Sequence, residues 1–323
     1  MKVGFFEIRP TEKEYFEQAL NTHELFFSDK PITAQNLPNT DFEILSTHTD
    51  SKVDKELLEK LPNLKIVITR TTGYDHIDLK SAKEKNIVVS YIPAYGEHTV
   101  AEFTFAILLG LSRKIPQAYN RIKQEKKFSF ENLQGFDLEG KTLGVVGTGK
   151  IGANVAKIAK GFGMKILAFD AFPNKSLAQE LDFSYVILEE LLKNSDIITL
   201  HVPYLPSTHH LINLQNIGLI KKGAVLVNTS RGAVVETQAL FKALQENILS
   251  GAALDVLEDE KKTFKEDAPI TKINEKLAEM DNVIITPHTA FNTKEARMRI
   301  LETTITNITS FINGSPENTI KID

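Results

Sequence analysis

The chain has 323 residues, of which 42% are hydrophobic and 25% are charged, and it contains no cysteine. Its 38 basic and 42 acidic residues give a formal net charge of −4, which argues against a nucleic-acid-binding surface, and the lack of cysteine excludes disulfides and thiol chemistry. No segment reaches the roughly 18 apolar residues of a membrane helix, and the apolar run at the N-terminus is too short for the core of a signal peptide. We therefore expect a globular protein of about two domains in the reducing cytoplasm, with neither nucleic acid nor membrane among its partners.

Up to Ser90, short β-rich runs alternate with helical patterns. The predicted strands are Val3–Ile8, Phe42–Ser46, Leu64–Thr69 and Ile87–Ser90, and the predicted helices are Glu12–Leu20, Lys52–Lys60 and Leu79–Lys85. This alternation predicts a doubly wound unit, in which helices cover both faces of a parallel sheet.

A long apolar segment, Thr99 to Ser112, has no helix-breaking residue before Gly110. We predict a buried helix here, and its position makes it a candidate link between two domains. The polar and aromatic segment that follows, Lys114 to Leu138, predicts an irregular connection with a helical part.

A second alternating set begins at Lys141. Its predicted strands are Thr142–Val146, Lys165–Phe169, Ser184–Val186, Ile197–His201, Ala224–Asn228, Gly251–Val256 and Val283–Thr286. Helices such as Thr237–Gln245 lie between them, and a long amphipathic helix, Thr293–Ile312, precedes a polar tail. The pattern therefore predicts two doubly wound α/β units, of which the second is the larger.

Three glycines follow the first strand of this second set, in the pattern Gly147-x-Gly149-x-x-Gly152. Between a strand and a helix, this pattern indicates a dinucleotide-binding turn. Gly147 would permit the tight turn, Gly149 the close approach of backbone to a pyrophosphate, and Gly152 the packing of the helix on the strand. The N–H groups at the start of the helix would then face the phosphates.

The next strand ends in Asp170, close to the distance of about 20 residues at which a dinucleotide-binding unit has an acidic residue. A carboxylate there accepts hydrogen bonds from a ribose diol and repels a 2′-phosphate, which favours NAD over NADP. The alternative is an aspartate that merely ends a strand. An ATPase phosphate loop is excluded, because Gly144 to Lys150 fits its pattern but Ile151 stands where a Mg²⁺-binding Ser or Thr is required.

Polar side chains follow three later strands, at the edge where ligands bind in open α/β sheets. Arg231, Glu260 and His288 each come after one of these strands. A histidine can take a hydroxyl proton and return it near neutral pH, and a carboxylate on its other ring nitrogen fixes the tautomer. A guanidinium can clamp a substrate carboxylate through two parallel hydrogen bonds. The three together indicate hydride exchange between NAD and an alcohol carbon.

Each of the three has an ordinary structural alternative. Arg231 would suit an ion pair with a surface acid, Glu260 lies in a run of charged residues typical of a solvated loop, and His288 would suit a buried, hydrogen-bonded core position. The other histidines, including His209 and His210 in a polar loop, receive no role from their pattern. Metal-ligand spacing is absent from the sequence, so no metal is expected.

The chain resembles the D-isomer-specific 2-hydroxyacid dehydrogenase family, and its D-lactate dehydrogenase branch above others, in the strings Val146-Gly-Thr-Gly-Lys-Ile-Gly152, His201-Val-Pro203, Asn228-Thr-Ser-Arg-Gly232, Ala253-Leu-Asp-Val256 and Thr286-Pro-His-Thr-Ala-Phe291. The likeness extends to Thr72-Gly-Tyr-Asp-His-Ile-Asp78 and Ile92-Pro-Ala-Tyr-Gly96, and so covers nearly the whole chain. It implies an α/β fold in which a Rossmann NAD-binding domain, residues 99–290, is inserted in a flavodoxin-like substrate domain made of residues 1–98 and 291–323.

The resemblance also implies roles for individual residues. His288 would be the acid/base, Glu260 its partner, and Arg231 the clamp on the substrate carboxylate and carbonyl. The substrate would also meet Thr72, Gly73, Tyr95 and Phe291, the last of which would restrict side-chain size. NAD would be bound by Gly147, Gly149, Lys150, Ile151, Gly152, Asp170, Val202, Pro203, Thr208, Thr229, Ser230 and Asp255.

The expected reaction is the NAD-dependent reduction of a small 2-oxo acid, pyruvate by preference, to the D-2-hydroxy acid. Hydroxypyruvate, glyoxylate, branched 2-oxo acids and phosphite are alternative substrates. An NAD(H)-sensing protein is the alternative class, since the corepressors that resemble this family retain the same three residue types. Two features depart from the usual pattern: Leu257 stands where an aromatic is common, and a long charged segment, Lys261 to Met280, follows Glu260. The resemblance further implies a homodimer that pairs through the cofactor domain.

Overall fold

A computed structural model describes residues 1–260, 262–263 and 269–321. The chain divides into two units: the first comprises Met1–Tyr95 and the C-terminal segment from Thr293, and the second comprises Gly96–Asn292. These bounds lie a few residues from the sequence-based ones at 98 and 290. Within the described ranges, none of the helices combines the length and apolar character that crossing a bilayer requires.

The elements are numbered in chain order. The strands are β1 (Lys2–Phe5), β2 (Glu24–Phe27), β3 (Ile44–Thr47), β4 (Ile66–Thr69), β5 (Val88–Ser90), β6 (Thr142–Val146), β7 (Lys165–Phe169), β8 (Ser184–Tyr185), β9 (Ile197–Leu200), β10 (Ala224–Asn228), β11 (Leu249–Leu254) and β12 (Val283–Ile285). The helices are α1 (Pro10–Ala19), α2 (Lys55–Glu59), α3 (Leu79–Glu84), α4 (Glu97–Ser112), α5 (Ile115–Lys123), α6 (Lys150–Gly161), α7 (Lys175–Glu180), α8 (Leu188–Asn194), α9 (Thr237–Gln245), α10 (Pro269–Ala278) and α11 (Lys294–Ile312).

The first unit is built on a parallel sheet with the strand order β2-β1-β3-β4-β5, which is the flavodoxin-like order. Helices α1 and α11 cover one face, where Phe16 and Ile308 are fully buried, and α2 and α3 cover the other, where Leu57 is fully buried. The end of the chain joins the same sheet, because Ile320 donates its backbone N–H to the carbonyl oxygen of Val89 at 2.8 Å. Both ends of the chain therefore contribute to this unit.

The second unit is a parallel sheet with the order β12-β11-β10-β9-β6-β7-β8, which extends the Rossmann order by one strand. Helices α4 and α6 pack on one face, and α8, α9 and α10 pack on the other. The chain runs outward from β6 through β7 to β8 and then returns to β9 on the opposite side of β6. Ligands bind at such a reversal of strand order, so the turns after β6 and β9 form the expected crevice.

Strands β10, β11 and β12 end level with one another. Asn228 pairs in register with Leu254, and Leu254 pairs in register with Ile285. Because parallel strands present their carboxyl ends at one edge, the segments that follow these three residues start side by side. This register brings three segments that are distant in sequence to one place.

The predicted fold class is confirmed: a Rossmann-type unit is inserted in a flavodoxin-like one. Strand β11 begins and ends two residues before its predicted bounds, and β2 is absent from the prediction. The sequence of β2, Glu-Leu-Phe-Phe, has no alternation, and the strand lies at the sheet edge, where it pairs with β1. Of the charged segment 261–280, residues 261 and 264–268 lie outside the described residues, whereas α10 buries Leu277 in the core.

Candidate active site

The turn between β6 and α6 contains the three glycines of the sequence pattern. Gly147 has a φ of +91°, a region that residues with a side chain rarely adopt, and a Cβ on Gly152 would lie 1.9 Å from the Gly147 carbonyl oxygen. Gly149 begins α6 without a side-chain cap, and no other described part of the chain comes within 4 Å of a Cβ built on it. Helix α6 therefore presents its first N–H groups to an open cradle, which fits a pyrophosphate.

Asp170 follows β7 and is bound to this turn. Its Oδ2 accepts hydrogen bonds from the backbone N–H of Thr148 at 2.6 Å and from the Thr148 hydroxyl at 2.9 Å. Its Oδ1 accepts from the backbone N–H of Phe172 at 2.8 Å. The carboxylate is therefore fixed beside the pyrophosphate cradle, where the ribose of a dinucleotide would lie. The residues present thus fit NAD.

The other predicted cofactor residues include four whose side chains are mainly aliphatic, and one of them, Pro203, is exposed in the segment after β9. Lys150 is exposed and forms an ion pair with Glu97 at 3.3 Å. Ile151 and Val202 are partly buried and pack against the hydrophobic clusters on the two faces of the sheet. These two lie in the segments after β6 and β9, which border the crevice, so the structure is compatible with their predicted roles without testing them.

The polar members of that set are engaged within the protein. The Thr208 hydroxyl donates to the carbonyl oxygen of Pro203 at 2.6 Å, and the buried Thr229 hydroxyl bonds to that of Thr104 at 2.9 Å. The Ser230 hydroxyl donates to the asparagine side chain that begins its own turn. These bonds shape the turns after β9 and β10, and direct contacts of these residues with NAD stay predictions.

His288 lies in the turn after β12 at a left-handed backbone position, with φ +52°. Asp255 holds this turn: Oδ1 accepts from the Thr286 hydroxyl at 2.6 Å and the Thr289 N–H at 2.9 Å, and Oδ2 accepts from the Ala290 N–H at 2.8 Å. Asp255 is only 1% exposed, and burial raises its pKa above the ordinary value despite these bonds. The carboxylate therefore positions the histidine turn, and its predicted contact with NAD stays a prediction.

His288 and Glu260 form a hydrogen-bonded pair. The ring Nδ1 lies 2.7 Å from Glu260 Oε1, and the side chains are 38% and 32% exposed. Glu260 Oε2 also accepts from the backbone N–H of Leu257 at 3.3 Å. The exposure of the ring excludes the core-histidine alternative, and these specific contacts distinguish Glu260 from a solvated charge run.

Arg231 approaches the same loop from the end of β10. Its Nη1 donates to the carbonyl oxygen of Ser230 at 2.9 Å. Burial raises the pKa of Glu260, but the hydrogen bond from His288, together with the charges of His288 and Arg231, outweighs burial, so the pKa lies below its ordinary value. The backbone after Arg231 packs directly on the glutamate loop, since a Cβ on Gly232 would lie 2.1 Å from the carbonyl carbon of Leu257. The predicted trio thus occupies one edge of one sheet.

A second histidine–carboxylate pair was missed by the sequence analysis. His210 Nε2 lies 2.7 Å from Glu258 Oε1, and Glu258 Oε2 accepts from the Thr237 hydroxyl at 3.0 Å. The Glu258 carbonyl oxygen in turn accepts from the Asn274 side chain at 2.8 Å. Because Glu258 precedes Glu260 by two residues, these bonds fix the loop that carries Glu260. The only available signal was the acidic string itself, which does not identify a partner so distant in sequence.

Three predicted substrate residues, Thr72, Gly73 and Tyr95, belong to the first unit. There the Thr72 hydroxyl donates to a backbone carbonyl at 2.9 Å, and the carbonyl oxygens of Gly73 and Tyr95 each accept a hydrogen bond. The fourth, Phe291, belongs to the second unit and lies edge-on to the His288 ring, with centroids 6.5 Å apart. Phe291 thus lies beside the histidine, and its predicted role in limiting substrate size stays a prediction.

A sequence model described as "D-isomer specific 2-hydroxyacid dehydrogenase, NAD binding domain" matches residues 105–290. The chain belongs to this family. D-lactate dehydrogenase of Escherichia coli (strain K12) is 36% identical over 323 residues, covering 97% of this chain and 98% of that protein. Glyoxylate reductase of Korarchaeum cryptofilum is 38% identical over 312 residues, covering 95% and 90%. The crystal structure of D-lactate dehydrogenase from Aquifex aeolicus, complexed with NAD and lactic acid, has 39% identity and a TM-score of 0.88, covering 97% of this chain and 96% of that one.

As a member of the D-isomer-specific 2-hydroxyacid dehydrogenase family, the protein is an NAD-dependent D-2-hydroxyacid dehydrogenase. The predicted cofactor and enzyme class are therefore confirmed, and the sensor alternative gives way to the enzyme. The relatives include both D-lactate dehydrogenases and glyoxylate reductases, so family membership alone does not select between small 2-oxo acids.

Proposed function

We propose that this dehydrogenase reduces a small 2-oxo acid, pyruvate in preference to others, to the D-2-hydroxy acid. His288 acts as the acid/base, Glu260 as its partner and Arg231 as the substrate clamp. The observation that carries the proposal is the 2.7 Å contact between His288 Nδ1 and Glu260 Oε1, with the ring still 38% exposed. Such a pair leaves Nε2 as the nitrogen available to a substrate.

The proton step follows from that geometry. Glu260 accepts a hydrogen bond from Nδ1–H, which holds the ring in one orientation and one tautomer. In the direction of reduction, Nε2–H donates a proton to the carbonyl oxygen as negative charge develops there. When bound, NADH would supply the hydride for this reduction. In the reverse direction, the neutral Nε2 accepts the hydroxyl proton.

Arg231 supplies the second function, which is binding and polarisation. A guanidinium can donate two parallel hydrogen bonds to a carboxylate and still direct an N–H toward the adjacent carbonyl oxygen. The packing of Gly232 on the Glu260 loop supports this role, because it fixes the spacing between the backbone of the clamp and that of the acid/base pair. From the family resemblance, we propose that the Thr72 and Gly73 backbone binds the substrate carboxylate and that Tyr95 lies beside it.

We favour pyruvate over larger acids because the Phe291 ring lies edge-on to the His288 ring, where it would limit the space for a substrate side chain. A panel of pyruvate, glyoxylate, hydroxypyruvate and branched 2-oxo acids, followed by NADH absorbance, tests this choice. We expect the highest kcat/KM with pyruvate and a much lower value with branched acids. A preference for glyoxylate or a branched acid would overturn the substrate proposal, and tight NADH binding without turnover of any of them would overturn the catalytic roles as well.

The lowered pKa of Glu260 gives a pH prediction. A carboxyl with a depressed pKa is ionised at and above its ordinary pKa, so the negative charge of Glu260 is complete at neutral pH and is lost only as the pH falls through the lowered value. We therefore expect kcat/KM for reduction in the parent enzyme to be steady around neutral pH and to fall along an acid limb that lies below the ordinary pKa of a glutamate. Glu260→Gln removes the carboxyl, so this variant should have a lower kcat/KM and should lack that acid limb. An acid limb that persists in Glu260→Gln would show that the limb does not report Glu260.

We also propose that the protein is a homodimer that pairs through the second unit. Helix α5 contains no buried residue, and Ile115, Tyr119 and Ile122 are exposed at helical spacing on one face. Shortly after it, Phe128 and Phe130 are 98% and 91% exposed. Such a set of large apolar side chains is unusual on a free surface, and a second copy of the chain is the occupant that the family resemblance implies.

Light scattering on a sizing column tests the dimer. The double variant Phe128→Ser, Phe130→Ser is expected to elute as a monomer at concentrations where the parent chain is a dimer. Ser129→Ala, which alters the residue between them without touching the apolar side chains, serves as the control. A monomeric parent, or a variant that remains dimeric, would contradict pairing through this surface. The cytoplasmic location expected from the lack of cysteine stays a prediction.

A further inference from the structure

A line of hydroxyl groups connects an edge strand to Asp170. The backbone N–H of Asn174 donates to the Tyr185 hydroxyl at 3.0 Å, and the Tyr185 hydroxyl lies 2.7 Å from the Thr148 hydroxyl. The Thr148 hydroxyl in turn lies 2.9 Å from Asp170 Oδ2. Thr148 stands between the first two glycines of the cofactor turn, so the line ends at the predicted ribose-binding carboxylate.

The chemistry of the groups fixes the direction of every proton in this line. An ionised carboxylate only accepts, so Thr148 must donate its single hydroxyl proton to Asp170. The contact between Tyr185 and Thr148 can then be a hydrogen bond only if Tyr185 donates. Tyr185 is free to do so, because the Asn174 N–H donates to it and does not need its proton. Hydrogen bonds that run in one direction strengthen one another, and this line converges on Asp170.

The arrangement also limits how Asp170 can meet a ligand. A carboxylate has roughly four acceptor positions, two on each oxygen. Both positions on Oδ2 are taken, by the N–H and the hydroxyl of Thr148, whereas among the described residues only the Phe172 N–H donates to Oδ1. Oδ1 therefore holds the remaining acceptor position, and the carboxylate cannot rotate to present it elsewhere without breaking bonds to Thr148.

The ring that begins the line is itself held in place. Tyr185 lies in β8, which pairs with β7 through the register of Ala168 with Tyr185. Its ring packs edge-on against Phe183, with centroids 5.3 Å apart. The Tyr185 hydroxyl therefore has a fixed position relative to the end of β7, which is where Asp170 follows.

We propose that Tyr185 is a positioning residue for cofactor choice. Acting through Thr148, it orients Asp170 so that Oδ1 accepts a hydrogen bond from the 2′-hydroxyl of NADH and its charge repels the 2′-phosphate of NADPH. This inference rests on the proposed NAD-dependent function and on the predicted role of Asp170 as the acceptor for the ribose of NAD. It assigns a cofactor-selecting function to a tyrosine that itself need not touch the cofactor.

Tyr185→Phe tests the inference, since it keeps the ring and removes only the hydroxyl. The chain contains no tryptophan, so the fluorescence of the nicotinamide reports binding of NADH and NADPH directly. We expect the Kd for NADH to rise about 3- to 10-fold, the change that one net hydrogen bond produces, with kcat at saturating NADH unchanged. The Kd for NADPH should change less, so the preference for NADH falls. Tyr15→Phe, a matched loss of a phenol in the first unit, is expected to leave both Kd values at the parent level.

Thr148→Val and the double variant Thr148→Val, Tyr185→Phe test whether Tyr185 orients Asp170 through Thr148, an arrangement we call the relay, or whether the two residues affect cofactor binding independently. If Tyr185 acts through Thr148, the double variant should bind NADH no more weakly than Thr148→Val alone, because coupled residues are not additive. Independent, additive losses would overturn the relay. A lowered melting temperature for Tyr185→Phe with both Kd values at the parent level would overturn it as well, since that result marks a purely structural hydroxyl.

Asp170→Ala distinguishes failure of the relay from failure of the underlying role. Loss of the preference for NADH in Asp170→Ala, with none in Tyr185→Phe, would overturn the relay and retain Asp170 as the ribose acceptor. An unchanged preference in Asp170→Ala would overturn the role of Asp170, and the relay with it. Loss of preference in both variants, larger in Asp170→Ala, is the expected result.

Discussion

Replacement of His288 by asparagine is expected to lower kcat for 2-oxo acid reduction by about 10²- to 10⁴-fold, the usual contribution of a positioned acid/base. The Kd for NADH should stay near that of the parent enzyme, because the cofactor turn and Asp170 are untouched. Asparagine is the appropriate replacement, since His288 has φ +52° and asparagine tolerates this left-handed region better than most residues. The loss then reports chemistry and not backbone strain. Stopped-flow or steady-state kinetics at saturating NADH and pyruvate measures it.

His210→Asn provides a matched comparison for that variant. His210 also has a left-handed backbone, with φ +50°, and also lies 2.7 Å from a glutamate oxygen. Its replacement should lower the melting temperature, and kcat should fall by less than about tenfold, since His210 acts only on the loop and carries no proton in the reaction. Equal losses of kcat in the two variants would contradict a proton-transfer role that belongs to His288 alone.

Arg231→Lys is expected to lower kcat/KM for pyruvate by about 10²- to 10³-fold, the range for loss of a preorganised donor at a reacting oxygen. Lysine keeps the positive charge but cannot reproduce the planar fork that binds a carboxylate through two parallel hydrogen bonds. The substitution therefore tests geometry at constant charge. The loss should fall on both KM for pyruvate and kcat, because the same group is proposed to bind the carboxylate and polarise the carbonyl.

The control for Arg231 is Arg113→Lys, an exposed arginine of the same unit that lies at the end of α4. Its kinetics should match those of the parent. Binding of NADH measured by fluorescence should be equal in all three proteins. Parent-like kcat/KM in Arg231→Lys would refute the clamp and leave Arg231 with a purely electrostatic role toward Glu260.

The convergence of Arg231 and His288 at one sheet edge was predictable, because it follows from a rule that can be applied to the sequence. Both residues follow apolar runs that were predicted as strands of a covered sheet, and parallel strands bring their carboxyl ends together. The register of Asn228, Leu254 and Ile285 is the physical form of that rule. The glycine pattern was likewise predictive, because the turn requires glycine: at Gly152 there is no space for a side chain.

The features that escaped prediction depend on pairing across the chain. In the sequence, Tyr185 is an ordinary member of a predicted strand. Only the structure shows that its hydroxyl bonds to that of Thr148. His210 and Glu258 are likewise brought together by loops, and loop conformations produce no periodic pattern in the sequence from which the contact could be predicted. Strand β2 was missed for a related reason, because an edge strand without alternation resembles any short apolar run.

The contribution of both chain ends to the first unit has a consequence for biosynthesis. Its sheet is capped by α11 and joined by Ile320, so the N-terminal strands leave the ribosome long before the segment that completes them. At elongation rates of about 5–20 residues per second, they wait on the order of ten seconds or more while the entire inserted unit is translated and begins to fold. During this time the N-terminal part of the first unit exposes the apolar face that α11 will later cover. We therefore expect chaperones to bind this exposed apolar surface most strongly at this stage of synthesis.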